Sequence, residues 1–136
     1  MIQVTVTKAQ LGLVAKRLEK AVQRVLEKAA DYAEEEMRRR APVRTGKLRR
    51  SIRKKVNLQA LTAEVGPTVE YAVYVEYGTR PHIIRPVRAQ ALRFEVAGRV
   101  VFAKLVRHPG TKPRPFVRET AEAVRRQISR FWREAW

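Results

Sequence analysis

The sequence predicts an α+β fold: long N- and C-terminal helices packed on an antiparallel β-sheet built from hairpins, with a short helix inserted. Apolar residues recur at three- and four-residue steps from Leu11 to Met37, and again from Val117 to Trp132. Two segments, 52–65 and 92–105, alternate in polarity about a central turn, as hairpins do. A chain of 136 residues that is 45% hydrophobic has room for one core, so residues 1–136 are expected to form a single domain.

The first helix is expected to open at the capping box Thr7-Lys8-Ala9-Gln10, where the threonine accepts from the backbone and the glutamine reaches back. Leu11, Val14, Leu18, Val22, Val25, Ala29, Ala33 and Met37 then share one face. Glu34, Glu35 and Glu36 stand four residues before Arg38, Arg39 and Arg40, the favourable order for helical ion pairs. Those arginines also suit the negative end of the helix dipole. Pro42 disfavours the helical region for Ala41 and ends the helix there. From Lys8 to Arg40, at about 1.5 Å per residue, the helix would be about 50 Å long. A globule of this size needs less, so packing beyond its own subunit is expected.

In the first hairpin, a tight turn at Gln59-Ala60 gives Ile52, Val56, Leu58, Leu61, Ala63 and Val65 one face and sets Lys55 opposite Glu64. Gln-Ala is poor turn chemistry, so a longer loop is the alternative. In the second, Gly98-Arg99 at the turn suits a type II′ geometry and aligns Leu92, Phe94, Val96, Val101, Ala103 and Leu105. A turn at Ala97-Gly98 would put Val96 across from Arg99 and is disfavoured. Val100 and Phe102 fall on the reverse face, which one core does not cover. Between the hairpins, residues 71–77 are apolar at both periods, and Gly78 suits the position after a helix. The last helix should begin near Pro115, with a stripe of Val117, Thr120, Ala121, Val124, Ile128, Phe131 and Trp132 that Trp136 continues.

Catalytic chemistry is not encoded in any recognisable spacing. The chain has no cysteine, which removes thiolate nucleophiles and thiolate metal sites. His82 and His108 each lack the partner that metal spacing would supply, and surface or loop positions are expected for both. Thr45-Gly46-Lys47-Leu48 resembles the end of a phosphate loop but lacks the upstream glycine and the hydroxyl that would hold magnesium. Ser51 and Ser129 have no nucleophile-elbow context. Glu64, Glu70, Glu76 and Glu95 are expected to pair with arginine rather than with one another. The reading is therefore a protein without enzymatic activity, cofactor or metal. With no long apolar run and no basic-then-apolar start, neither a membrane span nor a signal peptide is expected.

Thirty basic residues against 13 acids give a formal charge of +17. That points to a polyanion, an acidic partner or a compositional bias toward solubility. Asp31 and Asn57 are the only residues of their kinds, a depletion that also fits a thermophilic bias.

Three segments together carry a resemblance: Ala41-Pro42-Val43-Arg44-Thr45-Gly46-Lys47-Leu48-Arg49-Arg50-Ser51-Ile52, Tyr71-Ala72-Val73-Tyr74-Val75-Glu76-Tyr77-Gly78-Thr79, and Pro113-Arg114-Pro115-Phe116. In this order and spacing the chain resembles the tail-completion, or head-tail joining, proteins of long-tailed bacteriophages and prophages, also described as neck or minor tail proteins. The resemblance implies an α+β fold in which a helix crosses a curved sheet and the tyrosine segment is a short helix. It implies a homo-oligomeric, hexameric ring in the virion, between the head connector or stopper protein and the tail tube protein, with DNA passing through the middle. Synthesis would be in the bacterial host cytoplasm.

The resemblance brings structural rather than catalytic residues. Pro42 ends the long helix, Thr45 and Gly46 turn the chain into the first strand ahead of Leu48, and Gly78-Thr79 closes the short helix. Pro113, Pro115 and Phe116 set the entry of the last helix. Tyr71, Tyr74 and Phe116 are expected in the core. Glu76 is expected to be partnered by an arginine such as Arg80 or one from a neighbouring subunit. Segments 79–89 and 107–114 are expected to be partner-contacting loops. Candidate interface residues are Arg80, Arg85, Arg88, Val100, Phe102, Arg107, Lys112 and Trp136. The competing reading is a basic protein that binds nucleic acid without sequence preference, although helix-turn-helix, zinc and aromatic-platform marks are absent.

Overall fold

The computed structural model describes residues 2–86, 92–96, 99–103 and 105–136, with only the backbone for most strand positions between 92 and 106. The elements run α1 (Lys8–Arg40), α2 (Lys47–Ser51), β1 (Arg53–Asn57), β2 (Thr62–Gly66), α3 (Ala72–Tyr77), β3 (His82–Ile84), β4 (Leu92–Val96), β5 (Arg99–Ala103), β6 (Val106–His108) and α4 (Phe116–Ala135). The class is α+β. Among the described residues the strands pair as three two-stranded antiparallel ladders, β1–β2, β3–β6 and β4–β5, where one curved sheet was expected. The chain divides into two compact units, Met1–Ala72 with Phe116–Trp136, and Val73–Pro115.

In the helical unit, α1 opens where its capping box predicts. Gln10 N donates to Thr7 Oγ1 at 3.2 Å, and Thr7 N donates to Gln10 Oε1 at 2.8 Å. It closes at Ala41 ahead of Pro42, as the proline requires. Its buried side chains are Ala21, Val25, Ala30, Ala33, Glu36 and Met37. Of these, Ala21 and Val25 form a cluster with Phe131 and Ala135 of α4 that Tyr32, Ile128 and Trp132 flank. Tyr32 and Phe131 meet edge to face at 5.7 Å between ring centroids, the arrangement their quadrupoles favour.

The buried stripe of α4 is rotated from the predicted one. Phe116, Thr120, Ala123, Phe131 and Ala135 are buried, while Ala121 is exposed. Thr120 tolerates this because its hydroxyl donates to Phe116 O at 2.7 Å. Trp136 is half exposed and does not continue the stripe.

Gly46 adopts φ 82° and opens α2, a helical turn that replaces the expected passage of Thr45-Gly46 directly into a strand. Leu48 and Ser51 are its buried residues, and Arg49 Nε donates back to Arg38 O at 3.0 Å, which ties the turn to the end of α1. Ile52, expected on a strand face, instead ends this turn and is fully buried.

The β1–β2 register is the one predicted, with Lys55 opposite Glu64 and Val56 opposite Ala63. The loop is longer than two residues, since pairing stops at Asn57 and Thr62. Asn57 Oδ1 accepts from Gln59 N and Ala60 N, and Leu61 takes φ 53°. The asparagine side chain thus supplies the turn that Gln-Ala lacks.

The β4–β5 ladder pairs Val96 with Arg99 and Phe94 with Val101, the register that sequence reasoning disfavoured. It differs from the preferred register by two residues, which keeps the strand alternation unchanged. A single cross-strand pair is worth roughly 0.2–1 kcal/mol, too little to decide a register at a strand end. The turn residues Ala97 and Gly98 lie outside the described residues.

Two of the three expected pairs at the end of α1 form: Arg38 with Glu34 at 3.2 Å and Arg40 with Glu36 at 3.1 Å. Arg39 turns to Glu36 instead of Glu35, its Nη2 donating to Oε1 at 2.6 Å. The Arg39 guanidinium, helped by Arg40, holds the Glu36 carboxyl below the usual carboxylate range against the opposing push of burial. A depressed folded-state value stabilises the fold above the unfolded value and is lost as pH falls through the folded one. Glu36→Gln is therefore expected to lower stability by about 1–2 kcal/mol at neutral pH. Urea denaturation of both proteins across pH checks this, because the difference should shrink as pH falls from the unfolded value of about 4.3 through the lower folded one.

Candidate assembly surface

Three surfaces offer contact area that the chain itself leaves uncovered. The first is the leading part of α1. Between Lys8 and Lys20 every residue is exposed, including Leu11, Val14 and Leu18 of the predicted stripe and Leu13 beside it. The end of α4 marks where cover begins. Arg17 Nη2 donates to Trp136 O at 3.0 Å and its guanidinium lies 4.6 Å from the Trp136 ring centroid, while Arg24 Nη1 donates to Ala135 O at 3.0 Å. These arginines cap the carbonyls of α4 and suit its negative dipole end.

The second surface is aromatic. Tyr71 and Tyr74 are 39% and 61% exposed, which overturns their expected place in the core; Phe116, at 2%, is buried. On α3, Val73, Tyr74 and Tyr77 are all exposed, at spacings that share a helical face. Glu76 is buried on the same helix and is not left without a partner.

The second unit, Val73–Pro115, is a ribbon unit closed beyond α3 by a reciprocal arrangement of glycines. Thr79 and Thr111 exchange backbone hydrogen bonds at 3.1 Å each, and Arg114 N donates to Val75 O at 2.8 Å. Gly78 has φ 74° and Gly110 φ 84°, and each lies against the opposite chain segment. A Cβ on Gly78 would meet Thr111 O at 2.5 Å, and one on Gly110 would meet Pro81 N at 2.9 Å.

In the described part of segments 79–89 and 107–114, residues 79–86 and 107–114, the chain is not simply loop. β3 lies in the first and β6 runs into the second, pairing His82 with His108 and Ile84 with Val106. The two histidines, expected to stand alone, stack across the strands at 4.8 Å between centroids. His108 Nδ1 accepts from Gly110 N at 3.0 Å, and His82 Nδ1 faces Arg80 O at 2.7 Å. Arg80, Arg85, Arg107 and Lys112 are exposed on this unit. Arg88 and the side chains of Val100 and Phe102 lie outside the described residues.

The third surface is a groove of about 340 Å³ in the helical unit, beside β2. Leu26, Ala30 and Met37 of α1, Ala63 and Val65 of β2, and Val117, Ala121 and Val124 of α4 are among its lining residues, none of which carries a charge. On the β1 side of the hairpin the lining instead carries charge, with Glu27 near an ion pair between Asp31 and Lys54, beside Val56 and Leu58. Sequence reasoning missed this groove because it treated Val117, Ala121 and Val124 as covered core stripe.

Exposed apolar and aromatic area of this kind is what contacts between protein chains use. A family model described as bacteriophage HK97-gp10, a tail component, matches residues 7–78, which is 72 of 136 residues. The chain belongs to this HK97-gp10-like family of structural phage tail components. The match runs from the cap of α1 to the glycine that follows α3. No curated protein and no solved structure matches the chain. No helix among the described residues is long and apolar enough to cross a membrane.

Proposed function

We propose that this chain is a head-tail joining, or tail-completion, subunit that assembles with further copies into a hexameric ring between the head connector and the tail tube, around the DNA. The uncovered leading part of α1 carries this reading. A stripe of Leu11, Val14 and Leu18 left in water is the usual mark of an interface between chains. Basic residues outnumber acids by nine to two in the ribbon unit, which suits non-specific contact with the phosphates of DNA in a channel. Arg80, Arg85, Arg107 and Lys112 are the residues offered to that DNA or to the connector and tube proteins.

Light scattering from micromolar to millimolar concentration, alone and with the head and tail partners, tests the ring. The wild-type chain should form a closed oligomer in at least one of these settings. Val14→Glu with Leu18→Glu should leave helix content unchanged, since surface substitutions cost about 0.5 kcal/mol or less, and should abolish the oligomer. A chain that stays monomeric in every setting overturns the reading.

A further inference from the structure

The groove beside β2 and the residues ahead of α1 fit one another, although in one chain they do not meet. Ile2-Gln3-Val4-Thr5-Val6 alternates β-branched apolar with polar residues, a strand pattern. Among the described residues it pairs with no strand, and Ile2 and Val4 are 98% and 91% exposed. β2 pairs with β1 along one edge and with no other strand among the described residues. A two-stranded hairpin is marginal in water, and an unpaired edge is a template for an added strand.

We propose that residues 2–6 of one copy add as a third strand to the free edge of β2 in the next copy, seating Ile2, Val4 and Val6 in the groove over α4. The lengths match, since β2 has five residues and so does the segment. The chemistry also matches. Alternate apolar side chains would continue the inward face of Ala63 and Val65 and cover Val117, Ala121 and Val124.

Charge singles out this pair of surfaces. Two chains of +17 repel, and this segment and this groove are both uncharged, so they meet without opposing like charges. The β1 edge, with Arg53, Lys54 and Lys55, is protected in the way natural edges are. A chain's own segment cannot fill its own groove. The groove begins at Leu26 of α1, about 27 Å along the helix from Lys8, whereas five extended residues span at most about 18 Å. The occupant is therefore a second copy, and the contact is head to tail, the type that closes into rings.

This inference rests on the ring reading, and one pair of variants separates the two. The chain has no cysteine, so Val4→Cys in one preparation and Ala121→Cys in another can be mixed and oxidised without competing native thiols. A disulfide needs Cβ atoms within about 3.5–4.5 Å, so a seated strand links the two well above the level of chance collision. The expected result is a mixed disulfide dimer about tenfold above that from Val4→Cys mixed with an exposed control, Ser129→Cys. Val4→Pro, which removes a ladder donor, should lower the scattering-detected oligomer about tenfold in association constant. An oligomer by scattering, with no excess of the mixed dimer and no effect of Val4→Pro, overturns the added strand and leaves the ring standing. Absence of any oligomer overturns both.

Discussion

Gly110→Ala is expected to unfold the base of the ribbon unit while leaving the helical unit intact. The residue sits at φ 84°, where a Cβ costs about 1–2 kcal/mol in backbone strain alone. The added methyl would also meet Arg80 C and Pro81 N, each at 2.9 Å, and neither can rotate away as a side-chain tip would. Strain and overlap together should cost about 3–5 kcal/mol, beyond what a short ladder of three pairs plus the Thr79–Thr111 bridge can hold. Hydrogen exchange provides the measurement. Protection at Thr79, Thr111 and the β3–β6 amides should vanish, with α1 and α4 protected as before; retained protection at Thr111 would contradict the clash. Gly78→Ala should behave alike, because the two glycines serve the same bridge from opposite strands.

The other large effect is expected in the helical unit. Phe131→Ala should destabilise it by about 3–5 kcal/mol, the usual cost of emptying a phenylalanine site in a core. Phe131 is 4% exposed and lies among Ala21, Val25 and Ala135, whose small side chains cannot close over the space. It also loses the edge contact with Tyr32. Against a typical total of about 5–15 kcal/mol, that is enough to loosen α4 from α1. Thermal unfolding followed by circular dichroism should show a midpoint lowered by more than 10 °C, on the order expected for a domain of this size. A midpoint within a few degrees of wild type would mean the cluster is not the centre of the helical unit.

Legibility in the sequence followed the range of the interactions involved. The bounds of α1 were readable because Thr7, Gln10 and Pro42 act within a few residues of themselves. The β1–β2 register was readable for the same reason, being set by alternation on either side of a nearby loop. Periodicity identifies the apolar face of a helix but not what covers it. Leu11 and Val25 share a stripe, yet one is in water and the other in the core. The β3–β6 ladder was hidden because His82 and His108 are far apart in the chain and their short strands are framed by proline and glycine. Tyr71 and Tyr74 were misplaced for a related reason, since an aromatic residue near a glycine turn has the same local pattern whether it faces core or water. The Thr45–Leu48 segment was read as a turn into a strand, and its helical turn depends on a contact from Arg49 back to Arg38 that no local pattern reveals.

In the proposed ring, the exposed start of α1 would also govern when assembly happens. A helical stretch of roughly a dozen residues without tertiary cover is only marginally stable in water. In a free subunit such a stretch would fray and reform even with Thr7 and Gln10 capping it. In the proposed ring the entropy of fixing it would fall on the moment of docking, so the first pairwise encounters would be weak and short-lived. Closure would cover every such helix at once, whereas an open chain would always leave one uncovered at its end. A subunit of this design would be kept from building stray filaments in solution, and its growth would wait for a template that holds several copies together.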